Sequence, residues 1–274
     1  MNGSKPIYTM NLNLRRYTVP DLVRATISLA LILFLTGCAS VNHLREAQDA
    51  FNQAAATENS ARFESNPADS AATLSSVRSG YASALLSLTK LDSKDQLTLH
   101  QDGLWGTVLT LKALCQWRLA QYSNALDSAE EARKNPDQLY PRDRALLSAL
   151  PGLIKTDQAY AKSLITNSSL ADIEALLVGP NGAVANIQSA RELADKDHPV
   201  QVYLVQAQLA AYRNFTIALD RLNNHSVVPE NHPAVANAAL QLRELDRLLR
   251  LQIGNTSNQQ LVNYWAKLCG LTPP

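Results

Sequence analysis

Long apolar runs, glycine, aromatic side chains and surplus charge are all scarce in this chain, and each scarcity removes a class of protein. The longest apolar stretch, Ala25 to Leu35, falls short of the about 20 residues that a bilayer-spanning helix requires, so a stable transmembrane anchor is excluded. With only 10 glycines and no sustained alternation of apolar and polar residues, the chain has no reading as strands. Aromatic content of 6% with 3 tryptophans is thin for a sugar-binding platform. The balance of 25 basic against 24 acidic side chains gives no basic face of the kind nucleic acid demands. Chemistry is scarce too. The histidines His43, His100, His198, His225 and His232 are scattered, and no His-Glu-x-x-His, paired-cysteine or Gly-x-Ser-x-Gly pattern occurs. Asp143 with Asp157, or Glu130 with Glu131, are the carboxylate pairs one could imagine for sugar hydrolysis. Carboxylates on an amphipathic helix are usually a solvated face, so the chain reads as no enzyme, with no catalytic residue, metal or cofactor.

What is present begins with an address. Arg24 precedes the run Ala25 to Leu35, which then closes as Thr36-Gly37-Cys38. A basic residue, a short apolar core and small residues at its end make a secretory signal. Lys5, Arg15 and Arg16 fill the n-region, whether the start is Met1 or Met10. Arg15-Arg16 hints at a twin-arginine signal, but Tyr17-Thr18-Val19-Pro20 continues it poorly. The ending Leu35-Thr36-Gly37-Cys38 resembles the lipobox of bacterial lipoproteins. That resemblance implies a cleaved signal peptide over residues 1–37, a diacylated Cys38 thiol and a further fatty chain such as palmitate on the new amine. Ala39, where inner-membrane lipoproteins often carry Asp, implies sorting to the outer membrane, facing the periplasm. Processing would leave 21 basic against 23 acidic side chains.

From Cys38 onward alanine and leucine dominate, and the chain reads as all-α. An internal echo runs through it. Leu44, Ala47, Phe51 and Ala54 share a pattern with Tyr81, Ala84, Leu88 and Leu91, 37 residues later. Tyr122, Ala125, Ala129 and Ala132 repeat it after a further 41. This resembles the tetratricopeptide repeat, whose second helix follows a turn and an aromatic residue. The best copy runs from Gly106 to Leu139, with Ala113 at the small first-helix position and Tyr122 after the turn. Departures are the spacing, longer than about 34, Ala129 in place of a large aromatic, Pro136 arriving one residue early, and a first copy without its first helix. The resemblance implies a tetratricopeptide-like α-solenoid over 38–140, with further helical hairpins over 141–274 packing on the same array. It also implies a concave partner groove at Thr110, Leu114, Trp117 and Arg118, with Trp117 alternatively a core residue.

The second half is punctuated by proline and glycine. Pro141 suits the first turn of a helix, and Leu150-Pro151-Gly152 predicts a kink or short break in it. Gly179-Pro180-Asn181-Gly182 predicts a turn after a short helix from Ser169 to Val178. Helices follow over Ala183–Ala194, Val200–Leu222 and Ala234–Ile253, and a last one begins at Asn255-Thr256-Ser257 and carries Trp265 as a core anchor. Cys115 and Cys269 remain after Cys38 is spent on lipid. In an oxidising periplasm they are a possible disulfide, and two separate buried thiols are the alternative. Two functions follow: a non-enzymatic scaffold for another envelope protein, or an accessory lipoprotein binding a small ligand or polysaccharide for transport. The low aromatic content favours the scaffold.

Overall fold

The computed structural model describes residues 38–61, 67–165, 169–194, 197–222, 233–251 and 257–274. Leu35, Thr36 and Gly37 lie outside the described residues, and Cys38 is the first of them. Among the described residues every regular element is helical, and they divide into two compact units between Leu139 and Tyr140.

The first unit opens with α1 (Cys38–Ala61) and α2 (Pro67–Thr89). Leu44, Ala47, Phe51 and Ala54 recur at helical spacing on α1 and are all buried, as are Val77, Tyr81, Ala84 and Leu88 on α2. Five residues separate the two helices, a reach of at most about 18 Å, whereas each helix is roughly 35 Å long. Packing along their length is therefore possible only as an antiparallel hairpin. The contact is close: a Cβ added at Gly80 would lie 2.8 Å from the Ala54 Cβ, and the Phe51 and Tyr81 rings sit 5.1 Å apart. The first two copies of the echo are thus two halves of one hairpin, not second helices of successive repeats.

A short α3 (Ser93–Gln101) follows, started by Asp92. The Asp92 carboxylate accepts from the backbone N–H groups of Lys94 and Asp95, and the Asp95 side chain accepts in return from Asp92 N. Next come α4 (Trp105–Arg118) and α5 (Tyr122–Arg133), joined by three residues. Ala120 turns the chain with φ 60, and the N–H groups of Ala120 and Gln121 return to the carbonyls of Trp117 and Gln116. Ala113, Ala125, Ala129 and Ala132 are fully buried, which lets the two backbones approach. A 3₁₀ turn, Pro136–Gln138, then seats the Gln138 carbonyl against Gly106, where any side chain would collide.

The second unit contains α6 (Pro141–Ser163), α7 (Leu170–Leu177), α8 (Ala183–Leu193), α9 (His198–Leu222), α10 (Pro233–Arg250) and α11 (Ser257–Leu268). The central member is α9, which packs against all five others. Its Ala211, Phe215 and Ala218 share a core with Ile173, Leu177, Ala183 and Ala238. Of the kink or short break expected at Pro151, the break does not occur: α6 runs through it. Packing holds it: a Cβ at Gly152 would lie 2.8 Å from the Ala183 carbonyl oxygen and 2.9 Å from Ile187 Cγ1. The turn at Gly179–Gly182 is present, closed by Gly182 N–H donating to the Gly179 carbonyl at 2.8 Å.

Candidate functional site

Of the four residues expected to line a groove, three are interior. Thr110, Leu114 and Trp117 are buried in the first unit, and the Thr110 hydroxyl donates to the Gly106 carbonyl of its own helix at 2.8 Å. Leu114 and Trp117 contribute apolar area that water has left, so this part of α4 is core and not an open concave face. Arg118 alone reaches the surface. It belongs to a polar cluster that closes over the buried aromatics.

That cluster joins three helices. Arg118 Nη1 donates to Glu58 Oε1 at 3.1 Å, and the Tyr81 hydroxyl donates to Glu58 Oε2 at 2.7 Å. The guanidinium also lies 4.1 Å above the Trp117 ring and 5.8 Å from the Tyr81 ring. Both Glu58 oxygens and the Arg118 face are thereby engaged. The arrangement ties the last turns of α1 to α2 and α4. Tyr81 was visible in the sequence as an echo position. Glu58 carried no signal, since its partner is 60 residues away.

A second polar cluster sits in the other unit, and the sequence reading missed it. Arg191 on α8 donates to Gln201 and Gln208 on α9 at 3.2 and 3.0 Å, and to Gln241 and Glu244 on α10 at 2.8 and 3.2 Å. Gln208, itself buried, donates to Gln188 and to the Val184 carbonyl. Burial pulls the Arg191 guanidinium below its ordinary value, against the raising influence of Glu244. The hydrogen bond from Arg247 holds the Glu244 carboxyl below the usual range. The only hint in the sequence is that Gln201 and Gln208 interrupt an apolar helix at a seven-residue step, on one face. A network so fully mutually bonded fastens three helices together.

The remaining expectations separate. Cys115 and Cys269 are both buried free thiols, one in each unit, so the bond that the cysteine count allowed is not formed. Cys269 Sγ donates to the Leu209 carbonyl at 3.8 Å. Burial pushes the Cys115 thiol up to about 12 and the Cys269 thiol to about 11. Trp265 is buried, with its indole N–H donating to Gln206 Oε1 at 3.2 Å. Glu130 and Glu131 lie on a solvated face beside Arg133 and Lys134. Asp143 departs from that pattern. It is 2% exposed in the first turn of α6, where Arg142 Nε donates to its Oδ1 at 3.1 Å.

Among the described residues no helix is long and apolar enough to cross a membrane, and no three His, Cys, Asp or Glu side chains gather as they would around a metal ion. Compared with known proteins, the chain matches no family model, no curated protein and no solved structure.

Proposed function

We propose that the chain is an outer-membrane-anchored periplasmic lipoprotein that acts as a non-enzymatic protein-binding scaffold in the cell envelope. One observation carries the reading: Cys38, which the Leu35-Thr36-Gly37-Cys38 motif marks for acylation, is also the residue at which α1 begins. Acylation there attaches the lipid directly to the first turn of the fold, with no tether between. The scaffold half rests on α4 and α5. Helices of 14 and 12 residues, joined by three and sealed by alanines at their contact, support a tetratricopeptide-like hairpin. Such hairpins stack into surfaces that hold other proteins rather than pockets that do chemistry.

The test is affinity capture of the lipidated protein from crosslinked envelopes. The expected result is one envelope protein recovered in near-stoichiometric yield. Recovery of a bound small molecule or polysaccharide with no protein partner overturns the scaffold reading.

A further inference from the structure

The turn between α7 and α8 holds a pair of residues with a chemistry of its own. Asn181-Gly182 is one of two Asn-Gly pairs in the chain, and the other, Asn2-Gly3, lies outside the described residues. An asparagine before glycine cyclises more readily than before other residues, because no Cβ hinders the glycine nitrogen. That nitrogen, giving up its proton, attacks the asparagine Cγ. The new N–Cγ bond closes an imide ring, the Cγ–Nδ2 bond breaks, and the amide nitrogen leaves with a proton as ammonia. Water then opens the ring. Addition at Cγ leaves aspartate, and addition at the main-chain carbonyl leaves isoaspartate. Asn181 is exposed at the tip of the turn, so water and base reach its amide.

The backbone, by contrast, is held away from the reacting geometry. Gly182 is buried, and its N–H is committed to the Gly179 carbonyl at 2.8 Å. Asn181 has no positive φ, so with Pro180 before it the turn is type I. The third residue of such a turn has ψ near 0°, roughly 120° from the rotation that brings the next nitrogen onto its Cγ. Contacts on both sides oppose that rotation. The Lys155 ammonium on α6 donates to the Asn181 carbonyl. A Cβ on Gly182 would lie 2.8 Å from the Leu177 carbonyl oxygen, so the chain is packed against the end of α7. The Gly182 carbonyl accepts from Asn186 N–H at 3.1 Å as α8 begins, and the Ala183 carbonyl is seated on Gly152. We infer that Asn181 is a fold-gated deamidation site, shut while α8 starts at Gly182 and open when that start unfolds. Its amide is then a chemical record of the time this part of the second unit spends open. The inference holds whether or not Cys38 is acylated.

The experiment incubates the full chain at pH 8, folded in buffer and unfolded in guanidinium chloride. The tryptic peptide 163–191 is then followed by mass spectrometry, with fragmentation that assigns the site. In denaturant Asn181 should convert to aspartate and isoaspartate. In the folded chain the rate should be lower by about tenfold or more, since cyclisation waits for the turn to open. Asn181→Gln should keep its amide in denaturant, because the larger ring closes slowly. Equal rates in the folded and unfolded chain overturn the gate. An unfolded chain that retains the Asn181 amide overturns the site, as does an Asn181→Gln chain whose residue 181 converts as fast as the natural one.

Discussion

Trp117 keeps 5% of its surface in water and carries the Arg118 guanidinium on its ring. Replacing it with alanine removes a large buried ring and leaves a cavity that helices cannot fill. Trp117→Ala should therefore lower stability by about 3–5 kcal/mol, measured by denaturant unfolding. A change below about 1 kcal/mol would mean that the ring contributes little to the core. The thiols give a second residue-scale expectation. In the folded chain neither Cys115 nor Cys269 should react with an aromatic disulfide reagent at pH 8, and both should react on unfolding. Both thiols ionise near 9.0 when exposed and only near 12 and 11 when folded. Below pH 9 both states hold the proton and stability is whole. As pH rises from 9 toward the folded values, only the unfolded chain releases it. Stability then falls by about 1.4 kcal/mol per pH unit for each thiol. Fast labelling of the native chain at pH 8 would contradict the burial. Helical spacing in the sequence was enough to mark Trp117 as either groove or core, because a period tells which face a residue shares and not what covers that face.

At the scale of elements, the α4–α5 turn is made by Ala120 at φ 60, a conformation that crowds a Cβ against the backbone. Ala120 is exposed, so a glycine there loses no packing. Ala120→Gly should raise stability by about 1 kcal/mol, a rise of a few degrees in melting temperature. A lower melting temperature would show that the hairpin does not depend on that turn. Gly152 is the opposite case. Alanine is a better helix former by about 1 kcal/mol, but its Cβ would meet the Ala183 backbone oxygen at 2.8 Å, and a backbone atom cannot step aside. Overpacking of that kind costs about 1–3 kcal/mol, so Gly152→Ala should be a net loss in thermal unfolding, and a gain would mean that α6 and α8 can separate at that point. The same contact explains why the expected break at Pro151 is absent. Proline weakens a helix by a local rule, and the close fit of α6 on α8 is a term that rule does not contain.

For the molecule as a whole, the proposed anchor at Cys38 is what the next experiment tests. Cys38→Ser should accumulate as an unprocessed precursor that takes up no labelled palmitate, while the natural chain should stay with membranes in high salt, since each buried CH₂ of an acyl chain contributes about 0.8 kcal/mol. Normal processing and labelling of the variant would remove the lipoprotein reading. High salt matters as a control because it strips proteins held only by charge.

Helix content, the proline that opens α6, and the turn at Gly179-Pro180-Asn181-Gly182 were legible in the residues alone. So was the burial of Leu44, Ala47, Phe51, Ala54, Tyr81 and Ala125. These are consequences of a 3.6-residue period and of backbone freedom, which act within a few residues of their cause. Pairing was not legible. That α1 takes α2 as its partner, that Trp117 lies under Arg118, that Asp143 is buried, that Cys115 and Cys269 are buried free thiols, and that Arg191 gathers Gln208, Gln241 and Glu244 are outcomes of contacts between residues far apart in the chain. Several helical faces of similar alanine-leucine composition compete for each such contact. Only the three-dimensional fit of small against large side chains, and the need to pair every buried polar group, selects one arrangement among them.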